Sequence, residues 1–115
     1  MNLPEVLADR FAKDELVAAI AQDHQTKEVL MLAWVNREAL ELSISTSKAT
    51  YWSRSRSALW VKGESSGHTQ KLISIDLDCD GDAILYSVEQ TGAACHTGDR
   101  TCFHTPISIP NSSRE

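Results

Sequence analysis

This 115-residue chain has no long apolar run, no excess of basic charge and few cysteines. The cysteines number three, and an odd count does not close into a set of internal disulfides. No apolar stretch approaches the ~20 residues needed to cross a bilayer as a helix. The opening residues, MNLPEVLADRFAKDE, lack the basic and apolar regions of a secretory signal. The expected location is therefore the cytoplasm, with no membrane partner, where thiols stay reduced. Eleven Lys and Arg face 16 Asp and Glu, for a net charge of −5. That balance excludes a protein that wraps nucleic acid in a basic field, but not a local anion site. Repeats, low-complexity tracts and linker-like stretches are also missing, so residues 1–115 are read as one domain. Its 42% hydrophobic content suffices for a packed core without cross-links.

What is there reads mainly as strand. Pro4 opens a short helix over EVLADRFA, with Leu7 and Phe11 four residues apart. Residues 16–21 and 29–34 predict strands joined by a polar turn at 23–27. Asn36 is placed to cap a helix over Arg37–Thr46, with Leu40 and Ile44 as its apolar stripe. Thr50–Ser53 predicts another strand, followed by a polar, basic stretch to Lys62 and a loop over residues 63–67. Residues 70–78 and 83–88 predict a hairpin that turns around Gly81. Beyond Gly92 the chain reads as loop. The expected class is α+β, mainly β, with two or three helices; the pattern does not specify strand order.

Cys79 is followed by Cys95 sixteen residues later and by Cys102 seven residues after that. Two readings compete: buried thiols acting as small hydrophobes, and thiolates that ligate a metal. The spacing is not that of paired zinc knuckles. Three thiolates suit an open catalytic zinc site better than a closed structural one, which takes four ligands. His96 or His104 could still complete a closed site. His96, beside Cys95, is the candidate general base or acid.

If its backbone stays extended, the run Asp78-Cys79-Asp80-Gly81-Asp82 places three carboxylates on one side and Cys79 on the other. A solvated acidic turn is one account of it. The other is a hard cation such as Mg²⁺, which relieves the mutual repulsion through oxygen ligands. An EF-hand is excluded, because Ala83 stands where that loop requires glycine.

The basic charge gathers between residues 52 and 68. Arg54, Arg56 and Lys62, with Ser55 and Ser66, suit phosphate oxygens. Gly63 and Gly67 let backbone N–H groups approach an anion. Trp52 or Trp60 can stack on a heterocycle, and Glu64 and His68 add polar groups. The alternative is a basic strand and loop whose tryptophans belong to the core. Taken together, the segment points to a phosphorylated ligand.

The runs MLAWVNREAL, YWSRSRSALWVKGESSGHTQ, DLDCDGDAIL and GAACHTGDRTCF resemble the phosphoribosyl-AMP cyclohydrolase family of histidine biosynthesis. The resemblance covers residues 16–104. It implies hydrolysis of the N1–C6 bond in the adenine ring of N1-(5-phosphoribosyl)-AMP. It implies Zn²⁺ on Cys79, Cys95 and Cys102, and Mg²⁺ on Asp78, Asp80 and Asp82. It also implies a mixed or antiparallel, pseudo-barrel-like sheet in an intertwined homodimer, with Cys79 of one chain meeting Cys95 and Cys102 of the other. Ser65, Ala93, Thr101 and His104 depart from the residues most common in the family, without removing a ligand. The length leaves no room for the pyrophosphohydrolase domain fused in some relatives, so the monofunctional form is expected. The rival is a structural zinc module that binds a phosphorylated partner.

Overall fold

The computed structural model describes residues 2–111. Helix α1 (Glu5–Ala12) leads into strands β1 (Val17–Asp23) and β2 (Val29–Val35), followed by helix α2 (Arg37–Thr46). Strands β3 (Thr50–Ser53), β4 (Ala58–Val61), β5 (Gln70–Leu77) and β6 (Ala83–Gln90) complete the order. All six strands join one sheet in the order β4-β3-β2-β1-β6-β5. Every neighbouring pair is antiparallel except β1 and β6, which run parallel. The sheet curls until β5 meets the segment that leads into β3: the Ala49 N–H donates to the Gln70 carbonyl at 3.0 Å, and Leu72 N–H to Ser47 O at 2.9 Å. A mixed, mainly β half-barrel with two helices results, within the class expected.

Local chemistry explains most of the elements. The Asn36 side chain accepts from the Ala39 N–H at 2.9 Å and starts α2, as its cap position predicts. The apolar stripe of α2 differs from the expectation, because Ile44 is 41% exposed. The buried face is Ala39, Leu40 and Ser43. Ser43 takes the place of an apolar residue because its hydroxyl is fully used. It donates to Ala39 O and accepts from the Thr50 N–H, both at 2.9 Å, and from the Tyr86 hydroxyl at 3.0 Å. The basic stretch hides β4, which pairs with β3 from Thr50–Val61 to Ser53–Ala58. All four of its residues are only half-buried, so it carries no alternation to detect. A bulge between Leu72 and Ser74 turns Ile73 outward.

The core centres on Tyr51, Tyr86, Leu30, Leu40 and Ile84. A buried polar thread runs through it. The Tyr51 hydroxyl donates to Gln70 Oε1 at 2.6 Å, and Gln70 Nε2 donates to Gln90 Oε1 at 2.9 Å. Gln90 Nε2 then reaches the Thr91 carbonyl at 3.1 Å and the His68 carbonyl at 3.4 Å. Burial holds the Tyr51 phenol well above its ordinary pKa, so it remains a neutral donor. The thread ties the loop after β4 and the exit of β6 to the barrel. Gln70→Leu leaves the Tyr51 phenol and Gln90 Oε1 without partners, and should lower stability by about 1–3 kcal/mol. Urea denaturation at neutral pH measures this, and an unchanged midpoint would remove the thread from the stabilising interactions.

Candidate active site

Cys95 and Cys102 come together on the loop that leaves β6. Gly92 turns the chain with φ 71°, and a Cβ there would lie 2.7 Å from the His68 ring. Alanine at this position would therefore push His68 away. The loop folds back on itself, with Ala94 N–H donating to Arg100 O at 3.0 Å and Cys95 N–H to Asp99 O at 3.1 Å. The Thr97 hydroxyl lies 3.1 Å from Cys95 Sγ and 2.8 Å from Asp99 Oδ2. Its single proton can serve only one of them at a time. His104 Nε2 lies 3.6 Å from the same sulfur and 3.5 Å from Asp99 Oδ2.

These contacts set the thiol chemistry. The Thr97 hydroxyl, then the Thr97 N–H and His104, bring the Cys95 pKa down to about 6. Burial pushes the Cys102 thiol up, and neighbouring Cys95 adds to the effect. His104 is raised, chiefly by its contact with Cys95. The Lys62 ammonium donates to Ala94 O at 2.5 Å, and its charge is felt at Cys102. His96, adjacent in sequence, is exposed.

The acidic turn joins β5 to β6. Gly81, at φ 72°, lets its N–H donate to Asp78 O at 2.9 Å, so the expected turn forms and the extended arrangement of the carboxylates does not. Cys79 therefore does not point away from the carboxylates. Ligand atoms of Asp78, Cys79 and Asp80 all lie within 4.8 Å of one another. The neighbouring Asp78 and Asp82 carboxylates act on each other, which pushes Asp82 up and Asp78 down. Arg10 of α1 donates to the Asp80 carbonyl at 3.2 Å and steadies the turn.

The turn and the thiol loop flank opposite ends of β6, whose eight residues at ~3.3 Å each cover about 25 Å. Within one chain the structure brings Cys95 to Cys102 but leaves Cys79 with the aspartates. The basic segment is also divided. Trp52, Arg54, Ser55 and Trp60 line a groove of about 640 Å³. Lys62, Gly63, Glu64 and Gly67 line another of about 750 Å³, together with Lys48 and Lys71. Arg56 and Ser66 are exposed outside both, and His68 packs on Gly92. Sequence reasoning missed Trp34, whose ring lies 4.6 Å beneath the Arg54 guanidinium. It also missed Thr97 as a partner of Cys95; a hydroxyl two residues from a thiol was the available signal.

The phosphoribosyl-AMP cyclohydrolase family profile matches residues 31–104. A phosphoribosyl-AMP cyclohydrolase of Rhodospirillum rubrum is 62% identical over 100 residues, covering 87% of this chain and 70% of that protein. One from Hyphomonas neptunium is 61% identical over 101 residues, covering 88% and 77%. One from Thermobifida fusca is 58% identical over 101 residues, covering 87% of each. The chain belongs to the phosphoribosyl-AMP cyclohydrolase family. This is a family of enzymes, and the matched span holds both grooves' basic residues, the acidic turn and the thiol loop. In the metal-free protein, Thr97→Val removes the main donor to the Cys95 thiolate. Its titration should move above about 6, seen as a later rise in thiolate ultraviolet absorbance as pH increases. An unchanged profile would remove Thr97 as the cause.

Proposed function

We propose that the protein opens the adenine ring of N1-(5-phosphoribosyl)-AMP by hydrolysis of the N1–C6 bond, the third step of histidine biosynthesis. The observation that carries this reading is the Cys95–Cys102 thiol pair beside Lys62, in a chain of this family. A thiol with a pKa of about 6 is largely thiolate at neutral pH, as a zinc ligand must be. The donor set therefore fits Zn²⁺, with Cys79 as the third sulfur. A zinc ion held there supplies a bound water acidic enough to attack near neutral pH.

The residues of the chain do the rest. Trp52 and Trp60 offer faces for the purine, and Arg54, Lys62 and the glycines of the 63–67 loop take phosphate oxygens. Ribosylation at N1 makes C6 electron-poor. A hydroxyl oxygen adds to C6, the N1–C6 bond breaks with its electron pair going to N1, and N1 takes a proton. C6 keeps its amino group as a carboxamide. His96, next to Cys95, is the proposed proton carrier. Asp78, Asp80 and Asp82 form the proposed Mg²⁺ site, and a cation there would relieve the repulsion between their carboxylates.

Because Cys79 sits beyond the far end of β6, a three-thiolate site needs a second copy of the chain. A homodimer in which Cys79 of one copy faces Cys95 and Cys102 of the other satisfies this. Purified protein should consume phosphoribosyl-AMP, lose that activity to a zinc chelator and regain it on addition of Zn²⁺. A folded, fully active Cys79→Ser variant would sink the catalytic-zinc reading. Zinc binding without turnover would favour the structural module instead.

A further inference from the structure

Arg100 lies between Cys95 and Cys102, and its guanidinium spans three separate segments. Nη2 is 2.9 Å from Asp23 Oδ1 at the end of β1, and Nε is 3.1 Å from Glu28 Oε1 just before β2. Nη1 donates to the Gly92 carbonyl at 3.4 Å, at the start of the thiol loop. Asp23 is a fixed anchor, only 5% exposed. Its second oxygen accepts from the Gln25 N–H at 3.1 Å, the Thr26 N–H at 2.9 Å and the Thr26 hydroxyl at 3.2 Å. With both oxygens committed, the carboxylate has no freedom to follow the loop.

The backbone beside the clamp runs the same way. The single register pair between β2 and β3 is Trp34–Trp52, which leaves the start of β2 without a strand on that side. The thiol loop occupies this edge. Cys102 N–H donates to Leu30 O, and the Thr101 hydroxyl to Val29 O, both at 2.7 Å. Cys102 is thus tied to β2 directly, and Cys95 through its own loop, where Ala94 N–H donates to the Arg100 carbonyl at 3.0 Å and Cys95 N–H to Asp99 O at 3.1 Å.

We propose that Arg100, locked onto Asp23 and Glu28, is a positioning residue that presets the thiol loop so that Cys95 and Cys102 can capture metal together. This rests on the zinc reading above. None of the three lines either groove, so the clamp acts through the thiols and not on the substrate. Partners that orient metal ligands typically account for 10- to 100-fold in affinity.

The test is zinc affinity, by competition with a chromophoric chelator, in the full chain carrying Arg100→Gln or Arg100→Lys. Metal-free Tm and steady-state kinetics accompany it. Arg100→Gln should weaken zinc binding about 10- to 100-fold, and Arg100→Lys should recover part of the loss. KM should stay near wild type, and kcat should return when zinc is in excess. A lower Tm with wild-type zinc affinity would overturn the proposal and leave Arg100 a purely structural tie. If Arg100→Gln does not fold, Glu28→Gln, which removes only the outer partner, should show a smaller loss of affinity. Unchanged zinc binding in both Glu28→Gln and Arg100→Lys would then overturn it. Failure of the wild-type chain to bind zinc is a different result, and would refute the reading on which the proposal stands.

Discussion

The parallel ladder between β1 and β6, from Ala18–Ala83 to Asp23–Val88, is the constraint on which the site depends. It inserts β6 between β1 and β5 and aligns it with β1 along its length. The start of β6 then lies by α1, where Arg10 and Val6 meet the acidic turn. Its end lies by the β1–β2 turn, where Asp23 and Glu28 receive Arg100. Ile84, Tyr86 and Val88 bury one face of β6, so the spacing between its two ends is rigid. One chain thus carries two separate clusters: aspartates with a single thiol at one end, and two thiols with histidine and lysine at the other.

Buried polar groups hold the mobile-looking parts in place. The Tyr51–Gln70–Gln90 thread ends on the carbonyls of His68 and Thr91, where the phosphate-suited loop and the thiol loop approach each other. Gly63 is required there by contact as well as by φ. A Cβ on it would come within 2.5 Å of the His68 carbonyl and the Thr69 nitrogen. Each polar link is worth only about 1 kcal/mol net, but leaving one unsatisfied in the core costs more. Precision at the loops is thereby coupled to the barrel interior.

Much of this was legible in the residues. The capping signal at Asn36, the glycine turn at 81 and the end of regular structure near Gly92 all depend on local chemistry, and local chemistry is written in short runs. The unread parts depend on partners distant in sequence. β4 exists because Tyr51 and Trp60 stack across the ladder with β3, and nothing in Ala58–Val61 alone announces it. Ser43 is buried because Tyr86 and Thr50 reach it. The parity argument for Cys79 failed because Gly81 bends the backbone, which removes the alternation it assumed. The candidate residues could be named from the chain alone; their division into two grooves and two ends of β6 required the topology.

The central claim is that the catalytic thiolates come from two copies of the chain. Mixing two inactive variants, Cys79→Ser and Cys102→Ser, under conditions that exchange subunits tests it most directly. A mixed dimer then holds one site with all three thiolates intact. Activity should rise to about a quarter of the wild-type value, as random pairing in a two-fold dimer requires. No recovery, with subunit exchange confirmed, would contradict a site shared between chains.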